Sequence, residues 1–286
     1  MGCAAPRRRG ISASAYAAAV AYAERHVLQA LIVVCDGETV FERFGTGYDS
    51  STPHPLYSGT KSFWGPLALA AARDGLLELG EPVGATFDAW AAGRRARVTL
   101  RMLLSLTAGI AFGGLGTSVP SYAKALAAEP ADEPGARFTY GGIPLQIFGA
   151  VLARKLAAQR LTPQTYLQQR LLDPLGMRIA AWRSLPDGTQ PLPTGATVAG
   201  REWSKFGLYV LERYAELTPL FSGSAANPRY GLTWWLSPLA AIPDVIYASG
   251  AGGQALYVVP SQRLVVVKFG KSGSYDHAAF LRRLLV

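Results

Sequence analysis

The sequence predicts an α/β protein, with an antiparallel sheet of about five strands built from both chain ends, flanked by helices, and a mostly helical lobe inserted between them. Three observations carry this prediction. Runs rich in β-branched and aromatic residues lie near the two ends: "ALIVVC" and "TVFERF" early, "DVIYAS", "ALYVVP" and "RLVVVKFG" late. Asp36-Gly37 separates the first two runs, a pair suited to the positive φ angles of a tight hairpin. The stretch between the two groups reads as helices parted by Pro- and Gly-rich loops, notably "AFGGLGTSVP" and "SLPDGTQPLPTG".

Taken in order, residues 12–26 are rich in alanine, the strongest helix former, and predict a first helix. The hairpin around Asp36-Gly37 follows. Helical stretches are predicted at 61–79, 99–106, 121–128, 143–159, 163–172 and 201–215. Three strands then lead to a closing helix over 275–286. This layout divides the chain into a sheet lobe (11–60 with 241–286), an inserted helical lobe (61–240) and a tail (1–10), with a cleft where the lobes meet. Residue 58 and the region near residue 250 both fall at that junction.

With 286 residues, 50% apolar and 16% charged, the chain can bury a sizeable core without a disulfide or metal staple. It contains no run of 18 uncharged apolar residues that would span a membrane. The net charge of +9 comes largely from Arg7–Arg9, Arg94/Arg95/Arg97 and Arg282/Arg283. These clusters belong to a tail, a loop and the last helix rather than one face, so they read as solvated charge and predict no nucleic-acid partner. Cys35 reads as a small buried hydrophobe. Gly2-Cys3 followed by small residues is similar to the remnant of a bacterial lipoprotein signal. The expectation is a bacterial cell envelope or periplasm, any membrane attachment running through a lipidated Cys3, with the cytoplasm left open.

Few chemistries remain available. The three histidines (His26, His54, His277) form no H-E-x-x-H, and no Cys/His spacing suits zinc. There is no G-x-S-x-G elbow and no glycine-rich nucleotide loop, so neither a metal nor an organic cofactor is expected. His54 reads as a loop residue, because a histidine base normally arrives from a distant part of the chain.

Lysine can replace histidine as the base. In "LYSGTKSF" (56–63), Ser58 and Lys61 are three residues apart and share a helix face. A lysine in a poorly solvated cleft loses proton affinity and can take the serine proton, while the serine's own N–H is available to an oxyanion. With 18 serines and 6 lysines, chance alone yields roughly 0.4 such pairs. A second one, Ser121 with Lys124, reads as a helix cap after Pro120.

The wider pattern resembles the serine β-lactamase and penicillin-binding-protein superfamily, especially its class C-like esterase and amide-hydrolase branch. "YSGTKSF" resembles the first motif and "PGARFTYGG" (134–142) the second, with Tyr140 as its tyrosine. "TLRMLLSLTAGI" (99–110), "YLQQRLLDPLGM" (166–177) and "YGLTWWL" (230–236) match in kind and order. "YASGAGGQALYVVPSQRLVVVKFG" (247–270) is similar to the third-motif strand and its two successors. The resemblance implies Ser58 as nucleophile and Lys61 with Tyr140 as the proton-handling pair. It also implies oxyanion donors from the amide of Ser58 and from one near Ser249, Gly250 and Ala251. A phenol beside a cationic lysine is expected to favour its ionised form.

Two positions depart from the family pattern. The second motif ends in Gly142 where asparagine is usual, and Asn227 is the only asparagine in the chain. The third motif has no lysine or histidine in Tyr247-Ala248-Ser249-Gly250, and the literal Lys271-Ser272-Gly273 falls after the last strand and reads as a turn. In the family these missing groups bind the substrate amide and carboxylate. The expectation is therefore a serine hydrolase cleaving a small ester, or an unstrained amide, through an acyl-enzyme. A β-lactamase or D,D-peptidase, and a non-catalytic ligand-binding protein of the same fold, are the alternatives. Tyr57, Trp64, Phe112, Trp234, Trp235 and Tyr247 are candidate pocket aromatics.

Overall fold

The computed structural model describes residues 10–286. Cys3 and Arg7–Arg9 lie outside the described residues.

Helix α1 (Ala13–Arg25) starts at Ser12, whose side chain accepts the N–H of Ala15. Strands β1 (Leu28–Cys35) and β2 (Glu38–Phe44) form the hairpin, with Asp36 and Gly37 both at positive φ as the turn requires. A short strand β3 (Pro53–Pro55) leads into a tight 3₁₀ turn over Tyr57–Phe63 and then α2 (Trp64–Arg73).

The helical region continues with α3 (Leu100–Leu104), α4 (Tyr122–Leu126), α5 (Ile143–Leu156) and α6 (Pro163–Leu167), the last extended by a π turn over Gln168–Leu172. Strands β4 (Ala181–Trp182) and β5 (Ala196–Ala199) precede α7 (Gly200–Glu212) and α8 (Tyr214–Leu217). The chain closes with β6 (Trp235–Leu236), β7 (Ile246–Gly250), β8 (Gln254–Val259), β9 (Leu264–Gly270) and α9 (His277–Leu285).

The main sheet runs β2-β1-β9-β8-β7-β6, and every neighbouring pair is antiparallel. It has six strands rather than about five, because the two residues of β6 add an edge too short to show a period. Strands β8 and β9 are buried along their whole length, since both faces of the sheet are covered. Ile32, Leu256, Val265, Val267 and Phe269 face the helical region. Leu31, Val33, Tyr257, Val259 and Val266 face α1 and α9. A second sheet, in the order β3-β5-β4, has no counterpart in the sequence reading. His54 lies in its strand β3, not in a loop, and is buried between the rings of Tyr48 and Phe269. Cys35 ends β1 half-buried rather than in the core.

Charge follows the expected surface pattern in two of the three arginine clusters. Arg94 and Arg97 pair with Glu133, and Arg95 pairs with Glu129, while Arg283 lies over the Tyr22 ring. Among the described residues no helix is long and apolar enough to cross a membrane.

Candidate active site

The site is built around the segment between β3 and α2. Prolines 53 and 55 favour extended backbone and keep the helix from starting early. Leu56 is then gripped on both sides: its N–H donates to the Ala196 carbonyl of β5 at 2.8 Å, and its carbonyl packs against Gly250 at the end of β7. A Cβ on Gly250 would fall 2.0 Å from that carbonyl oxygen, so only glycine permits this approach. The chain reverses at Tyr57, which takes φ +48°, an unusual conformation for a bulky residue.

Ser58 and Lys61 sit on the 3₁₀ turn rather than on an α-helix. With three residues per turn, positions i and i+3 eclipse. Lys61 Nζ accordingly donates to Ser58 Oγ at 2.9 Å and to the Pro193 carbonyl at 3.2 Å. Lys61 is 2% exposed. Burial disfavours its charged form and lowers its pKa from 10.5 to about 7.

Tyr140 comes from the loop before α5. Its position is fixed by Thr139, whose N–H donates to the Leu106 carbonyl, and by Gly142, whose N–H donates to the Gly113 carbonyl. The Tyr140 ring centroid is 4.8 Å from Lys61 Nζ, and the ring stacks on Trp235 at 5.8 Å. Burial pushes the phenol up, and its contact with the Ser58 hydroxyl draws it only partly back. The expected ionised phenol is therefore corrected. Burial outweighs the Ser58 contact, so Tyr140 keeps its proton at neutral pH.

Gly142 explains its own departure from the family pattern. A Cβ there would fall 1.9 Å from the Gly114 carbonyl oxygen, so the loop carrying Gly113 and Gly114 fills the space an asparagine side chain would enter. At the third motif, Ala248 faces the helical core and is buried. Ser249 turns to the opposite face and shares a 2.9 Å hydrogen bond with His277 Nε2 on α9. Gly250 ends β7, and Ala251 opens the turn that follows. Among the described residues no backbone hydrogen bond takes up the N–H of Ser58 or of Ala251. Lys271-Ser272-Gly273 lies between β9 and α9, where the Ser272 N–H donates to the Gly252 carbonyl. Ser121 caps α4, accepting the Lys124 N–H at 3.3 Å.

The aromatic candidates divide sharply. Tyr57 is 43% exposed and lines a cavity together with residues of β5. Phe112 is 72% exposed on its loop. Trp234 and Trp64 are corrected from pocket to core: both are fully buried, with indole N–H groups donating to the Ser62 and Leu192 carbonyls. Tyr247 is also corrected, since it is 8% exposed and packs in the core under α1 and α9. Its ring stacks on Trp235 at 6.3 Å and packs on His277, the partner of Ser249, at 4.8 Å. The Pro193 carbonyl, which anchors Lys61, was unreadable in advance because the contact is made by backbone.

Several solved structures share this architecture. EstCE1, a hydrolase with promiscuous acyltransferase activity, is 15% identical with a TM-score of 0.74, over 95% of this chain and 97% of that one. A D-stereospecific amidohydrolase from Streptomyces sp. is 16% identical with a TM-score of 0.74, over 94% and 98%. A class C beta lactamase from Rhodobacter sphaeroides is 15% identical with a TM-score of 0.71, over 95% and 97%. At such identities the likeness is one of fold. No curated protein matches the sequence. The profile of the Beta-lactamase family matches residues 20–284, and the chain belongs to that family of β-lactamase-fold hydrolases.

Proposed function

We propose that this protein is a serine hydrolase that cleaves a small ester, or an unstrained amide, through an acyl-enzyme on Ser58. The observation that carries the reading is the buried Lys61 amine, 2.9 Å from Ser58 Oγ, with its pKa lowered to about 7. A lysine in that state is neutral in a large fraction of molecules at neutral pH and can act as a general base.

Ser58 Oγ bonds to the substrate carbonyl carbon as its proton passes to Lys61 Nζ. The negative charge on the carbonyl oxygen is held by the N–H groups of Ser58 and Ala251, worth on the order of a hundred-fold in rate per donor. The carbon–leaving-group bond then breaks. The proton returns from Lys61 through the protonated Tyr140 hydroxyl to the departing oxygen. Water attacks the acyl-enzyme, giving its proton to Lys61, and the acid leaves as Ser58 regains its hydrogen. An ester is favoured over an amide because its leaving group needs least help from the polar groups missing at Gly142 and Ala248.

Intact-mass labelling with a fluorophosphonate tests this. One adduct is expected on the wild-type protein and on Ser121→Ala, and none on Ser58→Ala. An adduct that persists on Ser58→Ala overturns the assignment.

A further inference from the structure

A cavity of ≈ 280 Å³ next along the chain from Ser58 is lined by Tyr57, Gly116, Thr117, Arg183 and Thr194 among others, with β5 and no residue of β7 in its wall. Its walls are chain neighbours of the catalytic groups. Tyr57 precedes Ser58, Thr194 follows the Pro193 whose carbonyl holds Lys61, and Gly116 is two residues beyond the Gly114 that packs on Gly142. Arg183 is fixed in its wall by backbone, its N–H donating to the Gly195 carbonyl at 3.0 Å. Among the described residues its guanidinium donates once, from Nη2 to the Gly116 carbonyl at 2.8 Å. The remaining N–H groups of a five-donor fork are left for something else.

The cavity lining contains no aspartate or glutamate, and among the described residues no ion pair engages Arg183. Thr117, Thr194 and Thr197 line the same cavity, whose exposed surface is mostly apolar. A half-buried cation with a planar donor fork, set in a mostly apolar wall that contains no acid, is matched by a carboxylate.

We propose that this cavity seats a carboxylate carried by the substrate, and that Arg183 selects esters or amides bearing one over neutral analogues. This rests on the Ser58 hydrolase reading. The seat is walled by β5 and not by β7, the strand of Ala248, where the family strand would carry its own cation.

The test compares kcat/KM for p-nitrophenyl butyrate and for the p-nitrophenyl half-ester of glutaric acid, in wild type, Arg183→Gln and Arg183→Lys. In parallel, binding of monomethyl glutarate is measured by calorimetry on Ser58→Ala with and without Arg183→Gln. The wild type should favour the charged ester, and Arg183→Gln should lower the charged-to-neutral ratio about ten-fold, with Arg183→Lys between the two. Monomethyl glutarate should bind Ser58→Ala and lose about ten-fold in affinity when Arg183 is also replaced. An unchanged ratio in Arg183→Gln overturns the proposal. If neither ester is turned over, the hydrolase reading fails, and the calorimetry still decides the carboxylate seat. Equal binding with and without Arg183 then overturns it.

Discussion

Replacing Lys61 by methionine should abolish catalysis and, at the same time, stabilise the fold. The side chains have similar length, so the stem packing is largely kept, and the charge is what disappears. A lysine pKa of about 7 in the folded chain, against 10.5, corresponds to about 5 kcal/mol opposing folding when the amine is charged. Between pH 7 and 10.5 the unfolded chain carries a proton on this group that the folded chain does not. Wild-type stability from this source therefore rises with pH across that window. Below pH 7 the full opposition of about 5 kcal/mol remains, and at pH 9 about 2 kcal/mol is left. Methionine removes that opposition but also removes the donor to the Pro193 carbonyl, a loss of about 1–3 kcal/mol for a buried acceptor left unpaired.

The net gain for Lys61→Met is then about 2–4 kcal/mol at pH 6 and close to zero at pH 9. For a chain of this size each kcal/mol moves the melting temperature by about 2 °C. Calorimetric melting at pH 6 and pH 9 should show the variant about 4–8 °C more stable at the lower pH, with the gap closing at the higher. Fluorophosphonate labelling of the same variant should fall by about a hundred-fold or more, the scale of a lost general base. A stability gap equal at both pH values, or a variant less stable at both, would show that the amine is not held neutral by burial.

In the wild type, kcat/KM should rise with pH and level off above an apparent pKa near 7, since only neutral Lys61 accepts the Ser58 proton; a flat profile from pH 5 to 9 would contradict this. Tyr140→Phe should lower kcat by about 10²–10⁴-fold with its melting temperature little changed, and steady-state kinetics on a p-nitrophenyl ester would show it. Gly250→Ala drives a methyl into the Leu56 carbonyl and should lower the urea midpoint by the equivalent of about 1–3 kcal/mol, with kcat falling as Ser58 shifts. Tyr57→Gly should hold or raise stability by up to about 1 kcal/mol, because a positive φ costs glycine little. Its kcat/KM should nonetheless fall, and chemical denaturation beside ester kinetics separates the two effects.

The sheet was largely legible because its strands announce themselves twice, by composition and by the turn chemistry of Asp36-Gly37. What escaped was short or disguised. Strand β6 is two residues long, and β3 is Pro-His-Pro, a sequence that reads as a breaker and is tolerated because β3 lies at a sheet edge. At the site, the Ser58–Lys61 spacing survives any helical geometry, so the pair was readable even though the turn is 3₁₀. Trp234 and Trp235 were not separable in sequence. They are neighbours with opposite fates, one donating to Ser62 in the core and the other stacked on Tyr140. Arg183 gave no signal at all, because the role proposed for it comes from a cavity lining without an acid, which only folding arranges.

The same limit explains the one chemical error. Lys61 and Tyr140 side by side suggest mutual charging when burial is ignored. Once both are desolvated, each is pushed towards its neutral form, the amine down and the phenol up. On the proposed mechanism the pair would hand a proton along without creating lasting charges in a dry site. Backbone does the remaining placement: Gly250 against Leu56, Gly113 and Gly114 against Gly142, and the Pro193 carbonyl against Lys61. Each of these holds a candidate catalytic group through a contact that has no side-chain signature. A motif can thus name the reacting atoms of this site, while the environment that sets their protonation is supplied by loops whose sequences carry no motif.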